Sequence, residues 1–189
     1  MKQYTQEDVN QFKRDKDGYI HCPTGEYANN IVFPERCSFG EACSFGEWCS
    51  FGERCRFGEW CSFGEWCRFG DCCRFGEECS FGEACSFGEA CSFGKGCSFG
   101  KGCSFGEDCT VEGGFPFQFL LKVEGCGRAS RVTYFFLLTD DTVLVRCGCF
   151  LGKLDEFEKQ VHETHQGNRH EREYMAAVQL AKIKFGFEE

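Results

Sequence analysis

Four sets of side chains could carry chemistry. Thirteen cysteines recur at every sixth residue from Cys37 to Cys109, and five more, Cys22, Cys72, Cys126, Cys147 and Cys149, stand outside that rhythm. Three of the four histidines, His162, His165 and His170, crowd the segment V-H-E-T-H-Q-G-N-R-H. An acidic residue follows Phe-Gly in nine successive units, from Glu41 to Glu89. Trp48, Trp60 and Trp66 are interleaved with Arg56, Arg68 and Arg74.

Each set limits the chemistry. Cys is among the most buried residue types, so a periodic thiol column reads as core packing. Zinc wants clustered ligands closing a tetrahedron, which a uniform C-x5-C does not offer. Disulfides between coils would need an oxidising compartment. The opening MKQYTQEDVNQFKRDKDGY has no apolar signal core, so the expectation is reduced thiols in a cytoplasmic protein. His162 and His165 lie three apart and could share a helix face as metal ligands do. H-E-x-x-H is not matched, because only Thr164 separates Glu163 from His165. The segment reads instead as a helix end, where cations are favoured. No G-x-S-x-G or P-loop motif occurs. The sequence points to no enzyme, cofactor or metal.

These residues need a scaffold, and the repeat supplies it. From Cys37 to Asp108 the chain reads C-[SR]-F-G-[EDK]-x without a slip, with degenerate units at Ile31–Arg36 and Cys109–Gly114. Side chains alternate along a strand, so Cys and Phe, two apart, point inward while the Ser or Arg between them points out. A period of six suits a coil with three flat sides and 18 residues per turn, each coil about 4.8 Å above the last. Gly after each Phe is expected to let the chain turn the corner. The last position of each unit is harder: a left-handed conformation there would strain Ala, Trp, Arg or Glu.

Rewritten from the Phe, the unit F-G-E-x-C-S resembles the hexapeptide of left-handed parallel β-helices, a bulky apolar residue, then Gly, then a small residue four positions on. Phe93-Gly94-Lys95-Gly96-Cys97-Ser98 matches best, with Phe where Ile, Leu or Val is usual. The resemblance implies a left-handed parallel β-helix of about 4–5 coils. Its enzymatic members, acyltransferases and γ-class carbonic anhydrases, use a His on or near the coils. No His lies between residues 31 and 114, so no catalytic role carries over. The hexapeptides, with Val145-Arg146-Cys147-Gly148-Cys149-Phe150 and Glu173-Tyr174, also resemble small uncharacterised proteins of phages and gut Firmicutes, which implies a mobile-element context.

The flanks complete a mainly β plan: 1–30 as an N-terminal segment and cap, 31–114 as the β-helix, and 115–189 as a small α+β domain. A short helix fits within residues 2–14, and Tyr19–Asn30 reads as the cap that a solenoid end requires. In the last domain Phe115, Phe117, Phe119, Leu121 and Val123 alternate as a strand. Arg131–Leu138 and Thr142–Phe150 read as two more strands, with Cys147 and Cys149 sharing a face. Leu154, Phe157 and Val161 mark a helix, and Tyr174, Ala177, Val178, Ala181 and Ile183 mark a second over about Arg169–Lys184. Strands this apolar suggest capping of the solenoid or assembly into a dimer or trimer.

The outward columns decide function. Residues 31–114 hold fourteen acids against seven bases, a net of -7 within the chain's -9. That balance argues against direct nucleic-acid binding, and no apolar run is long enough to span a bilayer. The acids would form three edges with one carboxylate per coil, either a solubilising surface or a mimic of the phosphate row of DNA. Eighteen-residue spacing stacks Trp48 on Trp66 and Arg56 on Arg74. Exposed Trp and Arg are common interface anchors. The candidate binding residues are Glu47, Trp48, Glu53, Arg56, Glu59, Trp60, Glu65, Trp66, Asp71, Arg74 and Glu77. The expected function is non-catalytic protein binding, as a phage-type inhibitor of a host enzyme with a basic nucleic-acid cleft. The alternatives are a sponge for a nucleotide signal at an oligomer interface and a structural or adhesion protein.

Overall fold

A computed structural model describes residues 2–111, 114–127 and 131–187. The chain divides into two compact units, Met1–Pro116 and Phe117–Glu189.

In the first unit each hexapeptide contributes a short strand that pairs in parallel with the strand 18 residues on. Ser44 pairs with Ser62 and Ser62 with Ser80, while Phe45, Phe63 and Phe81 follow the same register. Three such ladders form the three sides of a parallel β-solenoid of about 5 coils. Phe rings fill its axis. Phe63 stacks on Phe45 at 4.8 Å and on Phe81 at 4.9 Å, and meets Phe57 and Phe69 edge-on at 5.0 Å. Each such pair adds about 0.5–1.5 kcal/mol beyond area burial. The Cys thiols pack beside the rings, and from Cys61 to Cys109 each donates to a Gly carbonyl 21 residues back, as Cys61 does to Gly40 at 3.4 Å and Cys79 to Gly58 at 3.3 Å. None of the eighteen cysteines forms a disulfide. Contact with Cys61 and then burial push the Cys43 thiol well above its ordinary range.

The corners revise one expectation. The Gly after Phe does not take the left-handed conformation. Its missing side chain serves close approach: a Cβ on Gly58 would lie 2.7 Å from the backbone of Gly40 and Glu41 in the coil below. The left-handed residue is the last of each unit, and it is mostly not glycine. Ala42, Trp48, Arg54, Trp60, Trp66, Cys72, Glu78 and Ala84 all have φ between 54° and 61°. Such a backbone costs roughly 1–2 kcal/mol per residue. A hydrogen bond offsets that cost at each corner: the amide of Trp48 donates to Glu65 and that of Trp60 to Glu77, both at 2.9 Å.

The parallel ladders begin before the repeat. Ile20–Cys22 and Glu26–Tyr27 pair with Cys37–Phe39 and Ser44–Phe45. Tyr4 stacks on Tyr27, and Tyr27 on Phe45, each at 5.0 Å, so two tyrosines extend the aromatic column. The short helix Gln6–Asn10 is held by a Thr5–Asp8 capping box. Its Gln6 amide donates to the carbonyl of Val32 and accepts from the Val32 amide. This satisfies a strand edge that would otherwise invite another chain.

In the second unit, Arg131–Leu138 pairs antiparallel with Phe115–Cys126 from Phe117 onward and with Val143–Cys147, which pairs antiparallel in turn with Phe150–Lys153. Helices Leu154–His165 and Arg169–Lys184 follow. Phe157, Val161, Tyr174, Ala177, Val178 and Ala181 pack on one sheet face. Three local readings change. A register shift between Phe117 and Phe119 turns Phe117 toward the side of Phe136 and leaves Phe119 62% exposed. Ile183 is also exposed. Gly148, at φ 59°, opens a turn that splits the expected third strand into a hairpin, with Cys147 opposite Phe150. Cys147 is therefore buried and Cys149 exposed, rather than the two sharing a face. Among the described residues no helix is long and apolar enough to cross a membrane.

Candidate binding surface

The repeat distributes its acids onto three edges. Coil-to-coil hydrogen bonds define the columns: Ala42 to Glu59 and Trp60 to Glu77 on the first, Trp48 to Glu65 and Trp66 to Glu83 on the second, Arg36 to Glu53, Arg54 to Asp71 and Cys72 to Glu89 on the third. Stacked rings one coil apart are about 4.9 Å apart, so each edge carries a carboxylate at that interval. Glu41, Glu47, Glu53, Glu59, Glu65, Asp71, Glu77, Glu83 and Glu89 form no ion pair among the described residues. Asp71, shorter than its neighbours, accepts from the amide of Glu89 at 2.9 Å. Lys95 and Lys101 end the acidic run on the first two edges, whereas the third stays acidic to Glu107.

The eleven candidate residues do not form one patch. Glu59, Trp60 and Glu77 lie on the first edge, Glu47, Trp48, Glu65 and Trp66 on the second, and Glu53 and Asp71 on the third. Arg56 and Arg74 are paired neighbours on the side between the third and first edges. Arg56 also lies over the Tyr19 ring at 4.4 Å, so part of its binding capacity is spent within the chain. Arg68 sits on another side, between Ser50 and Ser86.

Sequence reasoning missed the side between the first and second edges. Its outward residues are Ser44, Ser62, Ser80 and Ser98, with no basic interruption. Trp60 flanks it on one edge, and Trp48 and Trp66 on the other. The latter two stack at 5.2 Å with their planes 6° apart. All three indoles are about half exposed, at 50%, 56% and 47% for Trp48, Trp60 and Trp66. The signal was present in the spacing: 6 residues separate Trp60 from Trp66, one side of the coil, and 18 separate Trp48 from Trp66, one full coil. A flat serine strip bordered by indoles and unpaired carboxylates offers aromatic contact area inside a negative frame.

The histidine segment is arranged otherwise. His162 pairs with Glu171, and His170 with Glu173 at 3.2 Å. His165 stacks on Tyr174 at 5.5 Å. The Gly167 amide and His162 hold the Glu171 carboxyl below its usual range. Bonds from His170, Arg169 and the Gly127 amide do the same for Glu173. Among the described residues no three His, Cys, Asp or Glu side chains converge as a metal site would require.

No family model, curated protein or solved structure matches the chain.

Proposed function

We propose that the chain is a non-catalytic protein-binding module. Its solenoid engages a partner through the serine side, with the Trp residues as anchors and the carboxylate edges selecting a basic surface. The observation that carries this reading is the unpaired acidic column along each edge, one carboxylate per 4.9 Å coil. A basic cleft built for nucleic acid is the complementary surface, because it is shaped to hold a regular row of anions. An inhibitor of a nucleic-acid enzyme, including a host defence enzyme, fits that description.

The test has two stages. Proteins retained by the chain are assayed for binding to duplex DNA or RNA, with the chain added as competitor. The expected result is salt-sensitive displacement of nucleic acid, lost when Glu59, Glu65 and Glu77 are changed to Lys and lost by at least tenfold in Trp66→Ala. Retained proteins that keep their nucleic acid overturn the proposal. Dependence on Arg56 or Arg74 instead, with a nucleotide recovered, would move the assignment to a nucleotide sponge.

A further inference from the structure

A pocket of about 110 Å³ lies within the second unit, between the start of strand Arg131–Leu138, the turn after Cys147 and the two helices. Its polar lining is Arg131, Cys149, Gln160, Thr164, His165 and Tyr174. That volume holds several waters, hence a ligand of a few heavy atoms.

The lining contains no carboxylate, in a chain of net charge -9. Glu171 and Glu173, which precede Tyr174 on its helix, are engaged elsewhere: Glu171 by His162 and the Gly167 amide, Glu173 by Arg169, His170 and the Gly127 amide. Arg131 forms no ion pair among the described residues. Its guanidinium lies against the turn, where a Cβ on Gly148 would fall 2.7 Å from Nη1. Burial and then Cys147 push the Tyr174 phenol up to about 12, so it stays protonated at neutral pH, and its O–H donates to the Cys126 carbonyl at 3.5 Å. One guanidinium, an amide, a hydroxyl and an imidazole therefore give the cavity hydrogen-bond donors without a carboxylate.

We infer that this pocket binds a small tetrahedral oxyanion of the phosphate class, held by Arg131 and seated beside the Cys149 thiol. The site is lined entirely by residues of the second unit.

The chain carries its own control. Cys149 and Cys72 are its two exposed thiols, and Cys72 follows Asp71 on the acidic third edge. The native protein is alkylated in parallel with anionic iodoacetate and neutral iodoacetamide, and both cysteines are followed by peptide mass spectrometry. The iodoacetate-to-iodoacetamide rate ratio is expected to be about tenfold higher at Cys149 than at Cys72, in line with local electrostatic concentration. Millimolar inorganic phosphate should slow Cys149 saturably and leave Cys72 unchanged, while sodium chloride at equal ionic strength should not. Arg131→Gln should bring the ratio at Cys149 to within about twofold of that at Cys72 by removing the cation. Gln160→Glu, at an exposed helix position, should do the same without touching the sheet. Equal ratios at the two thiols, equal protection by chloride, or unchanged behaviour in Gln160→Glu would overturn the inference.

Discussion

Raising the pH from 8 to 10 is expected to destabilise the solenoid. On the serine side Cys43, Cys61 and Cys79 are held above their ordinary value of 9.0: Cys43 by its bond with Cys61 and by burial, while at Cys61 and Cys79 the bond with the preceding thiol lowers it and the following thiol and burial together raise it further. On the other two sides raised and lowered thiols alternate, so their contributions oppose one another. In the unfolded chain the three ionise near 9.0, whereas in the coil they keep their protons. Their contribution to stability is complete below pH 9 and is lost as the pH rises from there toward the folded values. Each thiol then costs about 1.4 kcal/mol at pH 10, and three cost about 4 kcal/mol. That is a large part of the 5–15 kcal/mol that holds a typical domain folded. The assay is denaturant unfolding at pH 8, 9, 9.5 and 10 under a non-thiol reductant, followed by circular dichroism. Changing Cys43, Cys61 and Cys79 to Ala removes those three groups and should lower the slope above pH 9 by about 4 kcal/mol per pH unit. A flat profile from pH 8 to 10, or an unchanged slope in the triple variant, would refute the neutral thiol core.

Other perturbations separate the roles of individual positions. Gly64→Ala places a Cβ 2.7 Å from the Glu47 amide in the next coil and should cost about 2–3 kcal/mol by denaturant unfolding, as overpacking does. Ala84→Gly relieves a φ of 54° and should stabilise by up to about 1 kcal/mol in the same assay. Phe63→Asp buries an unpaired charge between two stacked rings and should abolish the folded signal by circular dichroism, since loss of a core Phe alone costs about 3–5 kcal/mol. Phe119, Leu151, Leu180, Ile183 and Phe187 are exposed in the second unit. Apolar surface of this kind supports assembly, so light scattering should give a dimer or trimer of the 21.5 kDa chain, and a monomer would exclude it.

The solenoid was legible because its signal is repeated twelve times in the sequence. One Cys-x-Phe step sets which side chains face in, and the period sets the number of sides. The early coil strands were harder to see. Tyr27 lies 18 residues before Phe45, but its unit lacks the Phe-Gly pair that marks the others. Where a pattern is stated only once, local irregularity overrides it: the register shift at Gln118 displaces one Phe of an alternating row, and the Gly148 turn converts one long strand into two. The acidic edges and the Trp stack followed from counting, whereas the serine side appeared only when the three ladders were assembled around an axis. The Arg131 pocket could not be read from spacing. Its lining comes from a strand end, a turn and two helices, which only tertiary packing brings together.

The three-sided coil gives its surface a reading frame that its interior lacks. Insertion or loss of three hexapeptides returns every later column to the same edge, because 18 residues make one coil. Gain or loss of a single hexapeptide turns everything beyond it by a third of a circumference. The core would not register the change, since Cys and Phe occupy the same positions in every unit. The exterior would be permuted: loss of the unit Cys49–Arg54 would leave Trp48 and Trp66 twelve residues apart, on different edges, and break their stack. Folding is thus indifferent to the number of units in phase, while recognition depends on that number modulo three.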